Sequence, residues 1–429
     1  MTSAPSLPPS AGDMMAPPSN PVRRAFRNRN YALYTLGNGV SLVGTWVQRI
    51  AVGWLMWRMT QSEGWLGAIA FADLFPTVLV GPFGGVLADR LDRLRLLKTS
   101  QVLMLVQSVA LFLLTVADGI TPVSLFVLTA IGGVFNALNQ PARLALISRL
   151  VDRDTMAAAV AINATVFNIA RFLGPALAGI IIVVSDVAPA FAINATSFVV
   201  YLAILARFRL PPQPPSLPRS PRILAEIGEG ILYAARHPGM GPLFHLLMVG
   251  CIAARPVAEL LPGFADRVFH AGATGLAMMT AAVGVGAVAG GIWMAGRARP
   301  EGLIDLVFAG TTVMGISIIL FALADRLVVA LCTLVVAGAA MVVSSIGTQT
   351  LIQLSVEPNV RGRVLSLYGL IYRGGPALGA LVAGLVAEHT ELTWPIMVGA
   401  GVSTACGLWL WRRRRIMVRS LVPPRHSLD

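Results

Sequence analysis

The sequence predicts an all-α membrane protein of twelve spanning helices in two sets of six. Three observations carry that expectation. Of 429 residues, 56% are hydrophobic and only 12% charged, with a mean hydropathy of +0.74, too little polar surface for a chain of this length to stay in water. The apolar residues fall in runs near the ~20 residues that a helix needs to cross a hydrocarbon core. The basic residues gather in alternate loops, as the positive-inside rule requires.

Residues 1–30 are rich in Pro, Ser and Ala and end in Arg23, Arg24, Arg27 and Arg29. They are expected to be a disordered cytoplasmic tail, since a cleavable leader would carry its apolar core there. An N-terminal bundle is expected over 31–208, with spans near 31–57, 65–87, 97–117, 121–141, 157–184 and 188–207. A linker at 209–240 opens with Pro211, Pro212, Pro214 and Pro215, a semi-rigid spacer. It then sets Ile223, Leu224, Ile227, Ile231 and Leu232 opposite Glu226, Glu229 and Arg236. That pattern fits a helix along the inner membrane surface, or an ordinary amphipathic linker helix. A C-terminal bundle over 241–412 holds spans near 241–262, 274–296, 303–324, 327–349, 364–387 and 394–411, and 413–429 is a basic cytoplasmic tail.

With both termini inside, only Arg58, Arg267 and Arg326 of the 33 Lys and Arg fall in outer loops. The net charge of +13 is thereby explained by topology, and no nucleic-acid partner is expected. Cys251, Cys332 and Cys406 lie inside apolar runs and suggest neither disulfide nor metal site, and no cofactor is implied. The five histidines are scattered, which argues against a membrane enzyme, and no GxxxxGK[ST] loop appears for direct ATP drive.

The halves echo one another. Gly174-Pro175-Ala176-Leu177 in span five recurs as Gly375-Pro376-Ala377-Leu378 in span eleven, each after an arginine, Arg171 or Arg373. Internal repeats of this kind place substrate near mid-membrane, at the repeat interface.

Between spans two and three stands Gly85-Val86-Leu87-Ala88-Asp89-Arg90-Leu91-Asp92-Arg93-Leu94-Arg95. It resembles the signature loop of the major facilitator superfamily, with Asp92 where that family usually has Gly and Leu94 where it often has a basic residue. The resemblance implies a conformational latch at Gly85, Asp89, Arg90 and Arg93; a solvated cytoplasmic charge cluster is the plainer alternative. The stretch Gly174, Pro175 to Gly179 is similar to the Gly-Pro motif of the family's antiporters, with Ala178 in place of a glycine. Small-residue helix packing is its plainer use. Further stretches resemble the branch of enterobactin and macrolide exporters: Asn139-Gln140-Pro141-Ala142-Arg143, Leu260-Leu261-Pro262, Glu229-Gly230 and His237-Pro238. Span four lacks the buried arginine of drug antiporters.

Away from the span ends, the ionisable groups within spans are Arg49, Asp73, Arg171, Arg255, Glu259 and Arg373. Such groups are costly in hydrocarbon and default to function. Arg49 and Asp73 each lie twelve residues from Gln61 on antiparallel neighbours, so an ion pair is expected. It serves either proton coupling or static ordering of the helices. Glu259, also a coupling or cavity candidate, is expected to snorkel near the outer boundary. Arg171 and Arg373 either face the cavity and attract an anionic or catechol-like substrate, or pair with carbonyls freed near the prolines. Asn38, Gln48, Asn136, Asn163, Asn168 and Gln349 either line the cavity or join helices.

The resemblance therefore implies an inner-membrane exporter of a small amphipathic molecule, siderophore- or drug-like. It would be driven by protons through alternating access and act as a monomer without catalysis. Uptake by symport, a sensor and a membrane enzyme are the rivals.

Overall fold

The computed structural model describes residues 21–208, 223–297 and 302–421. Among them a short helix α1 (Pro21–Arg27) precedes α2 (Arg29–Thr60), α3 (Glu63–Arg90), α4 (Arg93–Val116), α5 (Pro122–Leu150), α6 (Met156–Ser185) and α7 (Ala188–Ala206). The linker helix α8 (Ile223–Arg236) leads to α9 (Met240–Val268), α10 (Gly272–Ala295), α11 (Leu303–Ala322), α12 (Leu327–Ser355), α13 (Pro358–Ala387), α14 (Thr393–Trp411) and a short α15 (Arg414–Leu421). Eleven of these helices are long and apolar enough to cross a membrane. The twelfth long helix is α2, whose hydropathy is lowered by Gln48 and Arg49 near its middle. Six crossings on either side of α8 make the two-bundle layout.

Local chemistry sets the helix ends. Asn28 accepts from the backbone N–H groups of Asn30 and Tyr31, at 3.0 and 3.3 Å, and so caps α2. Asp92 accepts from Arg95 N at 2.8 Å and caps α4, which gives the residue that departs from the family loop a structural use. Thr121 and Ser124 form a capping box ahead of Pro122 on α5. Helix α9 is not regular: π turns occupy Gly250–Ala254 and Phe264–Val268, on either side of Pro256 and Pro262.

Several boundaries move. Residues 21–27 are helical and α2 starts at Arg29, so the disordered tail expected over 1–30 does not extend that far. The basic tail expected from 413 begins as α15, which buries Met417 and Leu421. Helices α5, α12 and α13 run six to nine residues further than the apolar runs suggested. Helical hydrogen bonding continues past the hydrocarbon boundary that hydropathy detects.

Because the helices alternate in direction, the turns near 61, 118, 186, 270, 324 and 390 share one face, called distal below. The turns near 91, 152 and 357 share the other with α1, α8 and α15, the linker face. The core is laid out unevenly between these faces. One cluster takes Trp57, Leu66 and Phe191 from the first six crossings and Leu260, Phe264 and Phe321 from the second six. The other two stay within a half: Tyr34, Leu97, Leu146 and Tyr201 in one, Leu243, Phe308, Ile352 and Val364 in the other. Outward positions are also apolar, with Val184, Val328 and Ile292 among the most exposed, as a lipid-facing surface requires.

The repeated Gly-Pro segments do equivalent work. A Cβ on Gly174 would collide with Trp46 of α2, the first crossing of its half, and one on Gly375 would overlap Cys251 of α9, the first crossing of the other. Five residues on, Gly179 packs on Ala277 of α10, while Ala380 presses its carbonyl on Gly67 of α3. Each segment thus holds its own half together and then touches the second crossing of the opposite half.

Candidate functional site

Arg49 is shared between the halves. Its Nε lies 3.2 Å from Asp73 Oδ2 on α3, and its Nη2 donates to Glu259 Oε1 on α9 at 2.8 Å. Its guanidinium also rests 5.1 Å from the Trp46 ring. All three charged side chains keep between 21% and 29% exposure, so the cluster is neither dry nor open. At ~1.5 Å per residue, Arg49, Asp73 and Glu259 each lie about 15 Å from the distal end of their helix. The snorkelling surface carboxylate expected at Glu259 is overturned. Helix α9 runs to Val268 rather than ending at 262, and the π turn at Gly250–Ala254 rotates the segment that follows.

A second group is cationic and aromatic. Arg255 stacks on Tyr372 at 4.0 Å, donates to Ser345 Oγ at 3.4 Å, and reaches Cys251 Sγ at 3.5 Å. Tyr372 stacks with Tyr368 at 5.5 Å and lies within reach of Arg171 as well. Arg171 Nη2 is 3.9 Å from Met341 Sδ on α12, one turn from Ser345, and Arg373 donates to Gln140 Oε1 on α5. The two arginines therefore bridge the halves, and neither pairs with a carbonyl near the prolines among the described contacts. The repeat explains part of the geometry. Counting back from Gly174 and Gly375, Arg171 and Tyr372 hold equivalent positions, as expected of two residues that meet near a pseudo-twofold axis.

The distal end of the interface is sealed by groups that the sequence reading passed over. Arg267 pairs with Glu63, donates to Gln61 O at 2.6 Å and stacks on Trp57 at 5.0 Å. Trp57 Nε1 donates to Asp266 Oδ2 at 3.0 Å, and Ser62 Oγ to Glu388 Oε1 at 2.9 Å. A signal existed, since Arg267 is one of only three basic residues expected outside.

At the linker end, α3 stops at Arg90 and α4 starts at Arg93. The side chains of Asp89 and Arg90, and the surroundings of Gly85, lie outside the described residues. Arg93 Nη1 donates to Ala145 O at 3.2 Å and lies 3.4 Å from Ser148 Oγ, both on α5 of the same half. Arg149 stands 3.9 Å from Asp92.

The polar residues weighed as cavity lining serve packing in two cases. Gln48 donates to Gln107 and accepts from Ser108 and Asn194, tying α2 to α4 and α7. Asn38 donates to Asn163 at 3.4 Å. The signature stretches are structural too. Asn139 donates to Ser100, Tyr34 donates to the Arg143 carbonyl, and Glu229 pairs with Arg363. His237 Nδ1 accepts from the N–H groups of Gly239 and Met240, both at 3.2 Å, opening α9, and burial pushes this imidazole below its ordinary pKa. An apolar groove of about 780 Å³ between α2, α6 and α7, lined by Leu36, Val40, Val166 and Val200, includes none of the charged candidates.

The sequence profile of the family described as transmembrane secretion effector matches residues 23–422. The chain is 24% identical to the staphyloferrin A transporter of Staphylococcus aureus (strain NCTC 8325 / PS 47), over 85% of this chain and 91% of that one. It is 22% identical to macrolide efflux protein A of Streptococcus pyogenes, over 87% of this chain and 94% of the relative. In fold it is similar to the crystal structure of the nucleoside transporter NupG, with a TM-score of 0.69 at 14% identity, covering 90% and 99% of the two chains.

Proposed function

The chain belongs to the transmembrane secretion effector family of major facilitator transporters, and on that premise we propose that it exports a small amphipathic molecule by proton-coupled alternating access. The observation that carries the reading is Arg49, held by Asp73 of one half and Glu259 of the other. Two carboxylates and one guanidinium leave a net negative charge in a low-dielectric setting, where a proton on one carboxylate lowers the cost. Parting the halves at the distal face takes Glu259 away from Arg49. Glu259 then gains a proton from the distal side, and closing again trades that proton for the arginine. Protonation and the swing of the halves are thereby one equilibrium.

The remaining assignments fit this cycle. The linker face, with α1, α8 and α15 and most of the basic residues, is cytoplasmic, so both termini are inside the inner membrane. Helix α8 lies along that surface, with Ile231 and Leu232 half exposed toward lipid. Residues 31–208 and 241–412 act as two moving bodies joined by 209–240. Gly85, Asp89, Arg90 and Arg93 form the latch that closes the linker face in the opposite state. Export is favoured over uptake by the Gly174-Pro175 segment and by relatives named for macrolide efflux and siderophore transport. The protein works as a monomer.

The test is efflux of a fluorescent drug and of a catecholate siderophore from expressing cells, with and without a protonophore. Efflux that collapses with the proton gradient is the expected result. Accumulation instead of efflux would replace export with uptake by symport.

A further inference from the structure

The apolar groove of about 780 Å³ on the first half has a use apart from the charged clusters. Helix α2 packs along both α6 and α7, and Gly39 and Gly44 leave the trough between them unfilled. A Cβ on Gly39 would press on Val166 at 3.3 Å. The walls are apolar yet exposed at Leu36, Ile169 and Val200. Three hydroxyls reach the lining, and each is spent on a carbonyl of its own helix: Thr35 on Tyr31 O, Thr196 on Ala192 O and Ser197 on Asn194 O. The groove therefore offers a ligand hydrocarbon contact and nothing polar. From Ala32 to Gly44 it follows α2 for about 18 Å at ~1.5 Å per residue. That is a little over half of a ~30 Å hydrocarbon core, the reach of one leaflet.

The linker end of the groove is its charged end. Phe26 of α1 belongs to the lining, which brings the basic stretch around it to the mouth. Arg29 precedes Ala32 by three residues and Leu36 by seven, so it shares their helix face. Arg23 lies three residues before Phe26, and Arg27 is next to it. All three arginines are exposed, and none forms an ion pair among the described residues. Arg24 differs, being paired with Asp154 in the turn before α6. Arg207 at the end of α7 and Arg153 add positive charge, against which Asp152 is the remaining carboxylate of that turn.

An apolar trough one leaflet deep, with unpaired arginines at its headgroup end, is complementary in shape and charge to a lipid. We propose that it binds one anionic phospholipid of the linker-side leaflet, an acyl chain lying between α2, α6 and α7. The phosphate accepts charge-assisted hydrogen bonds from Arg23, Arg27 and Arg29. A zwitterionic lipid gains the same hydrocarbon contacts but brings its own cation against the arginines. A second copy of this chain seated by the same face would set arginine against arginine. A chain in the groove fills the space between α6 and α7 and so stabilises the first half.

Native mass spectrometry tests this independently of transport. The purified full-length protein is delipidated in detergent and given phosphatidylglycerol or phosphatidylcholine with the same acyl chains. One phosphatidylglycerol retained per protein, favoured over phosphatidylcholine by about tenfold or more, is expected. Arg29→Gln should weaken its retention about fivefold, and changing Arg23, Arg27 and Arg29 together to Gln should abolish the preference. Val40→Trp fills the groove and should weaken retention of both lipids. Glycerol phosphate, which has the headgroup chemistry without the chains, should not compete. Equal retention of the two lipids, or a preference that survives the triple change, would overturn the proposal. So would competition by glycerol phosphate, displacement of the lipid by an amino-macrolide or a catecholate, or a dimer that Val40→Trp breaks. If Val40→Trp fails to fold, the lipid preference of the wild-type protein and its loss in the arginine variants decide.

Discussion

The two ends of the interface between the halves differ in every kind of contact. At the distal end, Arg267 joins Glu63 and the Gln61 carbonyl, Trp57 joins Asp266, Ser62 joins Glu388, and one apolar cluster runs across both halves. At the linker end, the ion pairs Arg24–Asp154, Asp92–Arg149, Glu229–Arg363 and Asp305–Arg414 each stay within one half or its linker helix, and the apolar clusters are separate. Among the described residues the halves meet at the distal end and at mid-depth, through Arg171–Met341 and Arg373–Gln140, and two bodies joined in that way can rock about the distal end. On the proposed alternating-access reading, the difference describes the state closed at the distal face, and the opposite state must break the distal contacts and make others.

The largest expected effect lies where the two ends are coupled. Glu259→Gln leaves Arg49 and Asp73 as a neutral pair with no carboxylate to carry the proton. Proton-driven transport should fall to the leak rate and lose its pH dependence, measured in vesicles with an imposed gradient. Full retention of both would dismiss the cluster as static ordering of helices.

Next come the glycines. Gly67→Leu must drive its side chain into the Ala380 backbone across the interface, a misfit of about 1–3 kcal/mol. It should shift the population away from the distal-closed state by roughly tenfold, read from distances between spin labels on the two halves. Gly174→Val meets Trp46 inside one half; its similar misfit should lower thermal stability and leave the distances alone. A shift in both variants would mean that the halves do not move as bodies.

Arg267→Gln removes the distal ion pair and the stacking on Trp57. Arg267 is about half exposed, so the loss is roughly 1 kcal/mol. Labelling of a cysteine placed at Ser62 by an impermeant maleimide should rise several-fold. The smallest effect belongs to the linker end. Burial lowers the folded-state pKa of His237 below its ordinary value of 6.5, so its contribution to stability is complete above that value and is lost as pH falls through and below it. The fall in Tm on acidification should shrink by about a degree in His237→Gln, which keeps an acceptor for the two N–H groups but does not titrate. An unchanged acid response in the variant would remove His237 as its source.

The charged candidates show how far sequence could reach. Arg49 and Asp73 flank one tight turn on antiparallel helices, so equal spacing from Gln61 already implied equal depth. Glu259 was misplaced because its position depends on a π turn and on where α9 ends, and neither leaves a mark in hydropathy. Arg267 and Glu63 are 204 residues apart and meet only because two halves pack.

Sequence by itself determined the solvent, the twelve crossings, their alternation and the twofold repeat, because burial in lipid and charge asymmetry act on each segment independently. Its Gly-Pro segments also marked the helices at the interface. Only the tertiary structure decided which carboxylates share Arg49, which arginines remain without one, and which end of the interface is shut. Those facts depend on distances between segments some 200 residues apart, and low dielectric makes each such distance decisive for charge.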